Sequence, residues 1–178
     1  EHTHGERRMV DYLEGLFRAE GIDCVRQEAV AGRENLLAWV QGRAPEPVIL
    51  EAHTDTVSVE GMAIEPFEPR REDGRVYGRG ACDDKASLAA MVTALSRVAH
   101  AGTPERTCLL AATCDEEFGF SGVKEFLAHP EVVGLSPALL QGAVACVGEP
   151  TGLDVVIAHK GAFRWRICTH GKAAHSSQ

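Results

Sequence analysis

Residues 48–53 have the sequence VILEAH, an unbroken apolar run that stops on an imidazole. A continuous run of this kind is typical of a strand buried on both faces of a sheet. The segments 107–113 (TCLLAAT) and 143–147 (AVACV) have the same character, and helical spacings lie between the three runs. This alternation of strand and helix predicts an α/β fold, a three-layer α/β/α sandwich around a mostly parallel central sheet.

Apolar periodicity predicts the elements around these strands. Thr3 and Glu6 have the spacing of a capping box ahead of apolar residues at helical intervals, which predicts a helix over 4–20. A second helix is predicted for Lys85–Ala101 by the same spacing. The remaining predictions are strands at 22–27, 35–41 and 75–77, an irregular loop at 60–74, and a short helix at 121–129 begun by Ser121.

The pattern changes after Pro150. Two strands with alternating aromatic and basic residues are predicted at 155–158 and 162–169, with one solvated face. We therefore place a domain boundary near 158–161, which divides the chain into a main domain, 1–158, and the start of a second domain, 159–178.

Composition excludes several functional classes. The 18 basic and 26 acidic residues give a net charge of −8 without any Lys/Arg-rich stripe, so nucleic-acid binding is not expected. No apolar run approaches the ~18 residues of a membrane span, and no leader is evident. The six cysteines form no C-x-x-C pair and lie mostly in apolar runs, where cysteine acts as a small hydrophobe, which favours a reducing, cytoplasmic location.

Groups that can bind a metal follow the predicted strands. In an open α/β sheet the carboxyl edge of the strands is where ligands bind, and His, Asp and Glu are ligands that zinc accepts. The groups are His53 and Asp55, Asp83 and Asp84, Asp115-Glu116-Glu117, Glu149, and His175 near the end of the chain.

Each group also has a simpler interpretation. His53 and Asp55 could be a surface pair, 115–117 an acidic helix start favoured by the helix dipole, Glu149 a turn residue and His175 an exposed side chain. The glycines of Gly78-Arg79-Gly80 suggest a dinucleotide loop, but Asp83 replaces the third glycine and would repel a pyrophosphate. The alternative is that these glycines bring Asp83 into a crowded site, where one carboxylate can bridge two cations.

Six motifs together resemble one known family: EAHTDTV, YGRGACDDKASLAAM, TCDEEFG, VGEPT, AHKG and HGKAAHSS. They are similar, in the same order, to the dinuclear-zinc amidohydrolases and peptidases that include acetylornithine deacetylase, succinyl-diaminopimelate desuccinylase, aminoacylase and the glutamate carboxypeptidases. The resemblance covers roughly residues 48–177. It implies two zinc ions per complete active site, with cobalt or manganese as alternative metals.

The resemblance also implies a role for each matching residue. His53 and Glu149 resemble ligands of one zinc, Asp83 the bridge between both, and Glu117 a ligand of the other. Glu116 resembles the general base and Asp55 the residue that orients His53. His175 resembles a lid-domain histidine that stabilises the oxyanion in the active site of the partner subunit, which implies a homodimer. The peptide bond Asp83–Asp84 is expected to be cis.

The resemblance implies a longer protein than this chain. Family members take a last histidine ligand from a C-terminal segment, so we expect 1–158 to be the N-terminal part of a catalytic domain and 159–178 the truncated start of a small α+β lid or dimerisation domain. The expected substrates are N-acyl amino acids, as for acetylornithine deacetylase, or short peptides. The alternatives are a dipeptidase or carboxypeptidase, a succinyl-diaminopimelate desuccinylase, and a metal-binding module without catalysis.

Overall fold

The chain is described by a computed structural model that covers residues 6–161, 165–168 and 170–171. Within these residues helices separate the three apolar runs predicted as central strands. The helices are α1 (Glu6–Ala19), α2 (Lys85–Ala101), α3 (Ser121–Ala128) and α4 (Pro137–Gln141), with a 3₁₀ turn at Pro130–Val133. The strands are β1 (Asp23–Val30), β2 (Arg33–Val40), β3 (Ala44–His53), β4 (Arg70–Glu72), β5 (Arg75–Tyr77), β6 (Arg106–Thr113) and β7 (Val144–Val147).

The central sheet is mixed. Its five strands have the order β1-β2-β6-β3-β7, and β4 with β5 forms a separate two-stranded hairpin. Strands β6, β3 and β7 are parallel neighbours, whereas β2 runs antiparallel to both β1 and β6. Because His53 is paired with Thr113 at the ends of β3 and β6, the residues that follow these strands emerge at one edge of the sheet.

Helices cover both faces of this sheet, which makes the three layers. On one face, α1 and α2 bury Val10, Phe17 and Leu95 against sheet residues such as Leu110. On the other face, Phe126 of α3 packs with Leu37, Ile49 and Leu109. The predicted α/β fold class is therefore confirmed.

The long helices and central strands lie close to their predicted positions, but two predictions near the C-terminal end are wrong. Strand β7 is exposed along its whole length because it pairs only with β3 among the described residues and lies at the edge of the sheet. Residues 155–158 are exposed and form no strand. The second predicted strand, 162–169, falls partly outside the described residues, and the domain boundary near 158–161 stays a prediction.

The cysteines differ from the expectation of small core hydrophobes. All six are free thiols, and only Cys114 is fully buried, whereas Cys82, Cys146 and Cys168 are exposed. None of the described helices combines the length and the apolar character that a membrane span requires.

Candidate metal centre

Strand β3 ends on His53, whose side chain is 1% exposed. Its ring lies between two carboxylates: Nε2 is 2.8 Å from Oδ1 of Asp83, and Nδ1 is 3.4 Å from Oδ1 of Asp55. Asp55 therefore lies beside the ring that the family resemblance implies it orients. Asp55 can hold the ring orientation from one side while Nε2 faces the cluster of acidic groups.

The surroundings of His53 strongly favour positive charge. Burial by itself would lower the pKa of His53, but the neighbouring carboxylates of Asp55 and Asp83 outweigh it and raise that pKa to about 10. A point in the fold that stabilises an imidazolium to this extent is also a favourable place for a cation.

The segment before α2 brings Asp83 to the ring. The peptide bond Asp83–Asp84 is cis, as the family resemblance implies. Gly80 has φ +73°, and a Cβ there would lie 2.7 Å from the Thr56 methyl carbon, so this loop requires a glycine. This agrees with the interpretation that the glycines bring Asp83 into a crowded site, rather than with a dinucleotide loop.

Asp84 holds the other side of the same junction. It is fully buried, and its Oδ2 accepts a hydrogen bond from the backbone N–H of His53 at 3.2 Å. Burial raises the pKa of the Asp84 carboxyl. Asp83 and Asp84 thus have different tasks, since one faces the ring of His53 and the other fixes its backbone.

The acidic triplet after β6 forms a turn. Asp115 has φ +63°, and Asp55 accepts hydrogen bonds from the backbone N–H groups of Glu116 at 3.0 Å and Glu117 at 3.1 Å. The interpretation of 115–117 as a helix start is wrong, because α3 begins only at Ser121. Asp55 therefore orients the glutamate pair as well as the histidine.

Glu149 follows β7 and reaches the same edge of the sheet. The backbone N–H of Gly148 donates to the carbonyl oxygen of Glu51 at 2.8 Å, which continues the pairing with β3 up to this residue. Burial, followed by repulsion from Glu116 and Asp83, raises the pKa of Glu149 to about 7. A cation among these carboxylates would relieve that repulsion.

Two sets of possible donor atoms overlap at His53. In the first, atoms of His53, Glu116 and Glu149 lie within 4.8 Å of one another, and in the second, atoms of His53, Asp83 and Glu117 do. One imidazole with carboxylates is a donor set that suits zinc, so the residues fit the expected metal. The structure brings together the described members of the predicted site, whereas His175 lies outside the described residues.

Sequence reasoning did not identify two side chains that support the turn at 115–117. Arg33 at the start of β2 contacts Asp115, with Nη1 2.5 Å from Oδ1. Glu6, expected to cap α1, instead receives hydrogen bonds from Arg33 and from the backbone N–H of Asp115. Their partners are distant in sequence, so no local motif indicates these contacts.

Comparison with known proteins agrees with this geometry. Residues 49–174 match the model of peptidase family M20/M25/M40. The chain is 31% identical over 175 residues to an acetylornithine deacetylase of Vibrio vulnificus, covering 97% of this chain and 44% of the relative. It is also 31% identical over 179 residues to a succinyl-diaminopimelate desuccinylase of Wolinella succinogenes, covering 97% and 46%. A probable carboxypeptidase of Aspergillus clavatus is 31% identical over 182 residues, covering 96% and 38%.

Solved structures show the same fold. An M20 family metallo-carboxypeptidase of Sulfolobus solfataricus superposes with a TM-score of 0.63 at 21% identity, covering 74% of this chain and 31% of that protein. A tripeptidase of Staphylococcus aureus has a TM-score of 0.55 at 29% identity, covering 79% and 37%.

The α/β sandwich with acidic groups and a histidine at one sheet edge is the arrangement of a metallopeptidase. The chain belongs to peptidase family M20/M25/M40. The family resemblance expected from the sequence motifs is thereby confirmed. The chain spans less than half the length of each of the three curated relatives compared above.

Proposed function

We propose that the protein hydrolyses the amide bond of N-acyl amino acids with the help of two zinc ions. The observation that carries this proposal is the overlap of two donor sets at His53, the first of which includes Glu116. In the proposed assignment, His53 and Glu149 would hold one metal, Glu117 would hold the other, and Asp83 would contribute to both. Cobalt and manganese are the alternative metals for the same donors.

Bound zinc would polarise the amide carbonyl and lower the pKa of the attacking water. The proton transfers are carried out by a side chain of the protein. Glu116 takes a proton from the water as its oxygen bonds to the carbonyl carbon, and returns that proton to the amide nitrogen as the C–N bond breaks. The products are a carboxylate and a free amino acid. Burial raises the pKa of Glu116, which makes it a stronger base than an exposed glutamate.

Asp55 has a positioning role in this scheme. It lies against the ring of His53 and accepts hydrogen bonds from the backbone of Glu116 and Glu117, so it keeps ligand and base in a fixed relation. His175 completes the proposal as the residue that stabilises the oxyanion from the partner subunit of a homodimer.

The substrate is proposed from the relatives. The first proposed substrate is an N-acetylated amino acid, by similarity to acetylornithine deacetylase. The alternatives are the substrates of a desuccinylase, a dipeptidase or a carboxypeptidase. A cavity of about 230 Å³ lies beside Glu117, with Val57 and Phe118 in its wall, and offers apolar contacts to an acyl or side chain. A deacetylase of this kind would serve amino-acid biosynthesis in the cytoplasm.

Replacement of the base tests the proposal. Glu116→Gln in the full-length protein should lower kcat for N-acetylornithine about 10²-fold to 10⁴-fold while zinc remains bound. Glu60→Gln, at an exposed glutamate in the loop after β3, is the control and should leave turnover unchanged. Metal content measured on both variants separates loss of the base from loss of zinc. Normal turnover of Glu116→Gln would remove Glu116 from the mechanism.

A metal-binding module without catalysis is the second candidate, because the donor sets described here account for binding alone. Zinc-loaded full-length protein should be assayed against N-acetyl amino acids, succinyl-diaminopimelate and dipeptides. Tight zinc binding without hydrolysis of any of them would favour the module over the enzyme.

A further inference from the structure

An ionic network of mostly buried side chains lies beside the candidate metal centre, where Arg33 and Asp115 also line the cavity next to Glu117. It links Glu6 at the start of α1, Arg33 at the start of β2, and Asp115 after β6. Glu6 is 7% exposed and Asp115 4%, so neither carboxylate is compensated by solvent. The cation in contact with both is Arg33, whose side chain is 17% exposed.

The guanidinium of Arg33 serves three carboxylates. Nε donates to Oε2 of Glu6 at 2.7 Å, and Nη2 donates to the other oxygen of Glu6, so this pair is bidentate. Nη1 donates to Oδ1 of Asp115 at 2.5 Å. Nη2 also lies 3.8 Å from Oδ2 of Asp55, the residue that flanks the histidine ring.

The network fixes Asp115 at both its backbone and its side chain. The N–H of Asp115 donates to Oε1 of Glu6 at 3.1 Å. Its Oδ2 accepts from the Ser121 hydroxyl at 2.5 Å and from the Ser121 N–H at 3.3 Å. Since φ of Asp115 is +63°, a conformation uncommon for residues other than glycine, these contacts hold the chain direction just before Glu116 and Glu117.

Both carboxylates that shape this turn therefore meet at one side chain. Asp115 sets the entry to the turn, and Asp55 receives the N–H groups of Glu116 and Glu117. We propose that Arg33 and Glu6 are positioning residues of the metal centre, which set the turn that presents Glu116 and Glu117. This inference rests on the proposed function only in taking the cluster as a metal site.

Zinc binding measured calorimetrically on the full-length protein tests the inference. Arg33→Met and Glu6→Gln should each weaken zinc binding about 10-fold to 100-fold, the usual range for residues that support metal ligands. Arg33→Lys keeps the charge without the bidentate geometry and should give a smaller loss. The d–d absorption spectrum of the cobalt-loaded protein should change in Arg33→Met and Glu6→Gln, because it reports ligand geometry.

Arg26 offers a matched control. It also contacts three carboxylates, those of Asp11, Glu14 and Glu34, and has no contact with the turn. Arg26→Met should reduce thermal stability and leave zinc affinity and the cobalt spectrum as in the wild type. A merely structural role of Arg33 would make Arg33→Met behave in the same way.

Glu6→Gln decides the case if Arg33→Met does not fold, since it keeps the shape of the side chain. Unchanged zinc affinity and cobalt spectrum in Glu6→Gln and Arg33→Lys would overturn the inference and leave the proposed function standing. Failure of the wild-type protein to bind zinc at this cluster would instead refute the proposed function.

Discussion

Gly80 is the residue through which the loop before α2 reaches the metal centre. Two separate features require glycine at this position. The backbone has a φ of +73°, and a Cβ would lie 2.7 Å from the Thr56 methyl carbon. Gly80→Ala should therefore destabilise the protein by about 1 to 3 kcal/mol and weaken zinc binding, because the strain is relieved by displacing Asp83. Chemical denaturation and zinc titration would measure the two effects.

Gly61→Ala is the control that separates backbone strain from the steric clash at Gly80. Gly61 has a similar φ of +78° but nothing within 4 Å of its ideal Cβ position, so its substitution introduces backbone strain alone. Thr56→Ser in the Gly80→Ala background removes the clashing methyl and should restore part of the zinc affinity. Equal zinc affinity of Gly80→Ala and the wild type would contradict the steric account.

The residues of the site differ in how well their positions can be predicted from the sequence. His53, Asp83 and Glu149 come directly after apolar runs or within recognisable motifs, so their convergence follows from strand ends meeting at one edge. Arg33 gives no such signal, because its partners lie 27 and 82 positions away and the pairing depends on how β2 sits beside β6. Long-range ion pairs of this kind have no local pattern from which to infer them.

At the scale of elements, α3 holds the second face of the sheet through one aromatic side chain. Phe126 is 2% exposed and packs with Leu37, Ile49 and Leu109, whereas its neighbour Leu127 is 55% exposed. Phe126→Ala should cost about 3 to 5 kcal/mol of unfolding free energy, since it leaves a cavity in the core. Urea denaturation would measure this loss.

Leu127→Ala, one position along the same helix, is the comparison. It removes a side chain that is mainly in solvent and should change the unfolding free energy by about 0.5 kcal/mol or less. Similar losses for both substitutions would mean that α3 does not pack on the sheet through Phe126.

Elements with strong periodicity are predictable from the sequence, and short apolar runs are less so. The apolar residues of α2 recur at helical intervals, and three of them, Leu88, Met91 and Leu95, are buried as this pattern predicts. The segment 143–147 resembles β3 in composition, yet β7 is exposed. The burial of a strand depends on the elements that lie beside it as well as on its own residues. The run at 155–158 shows the same ambiguity, since apolar residues alone do not form a strand without a partner.

At the scale of the whole molecule, acidic side chains from three separate segments gather around one histidine in a protein of net charge −8. Zinc, the proposed metal, should stabilise the folded state on binding there, because the unfolded chain lacks the assembled site. At a free zinc concentration about 100 times Kd, the expected gain is about 2.7 kcal/mol. Thermal unfolding with and without a chelator would measure it.

His53→Ala supplies the control for this linkage. The substitution removes the donor common to both sets, so added zinc should raise the melting temperature of the variant much less than that of the wild type. An equal rise in both proteins would place the stabilising zinc elsewhere on the molecule.

The sharing of His53 by two donor sets makes the two metal positions unequal among the described residues. Asp55 lies against Nδ1, so Nε2 is the nitrogen that faces the cluster, and it can serve only one ion. Among the described donors the second ion then has oxygen atoms alone, a harder environment that suits manganese or magnesium better than the nitrogen-containing position does. In a mixture of metals, the two positions should therefore bind different metal ions. A further nitrogen donor from outside the described residues would remove this difference.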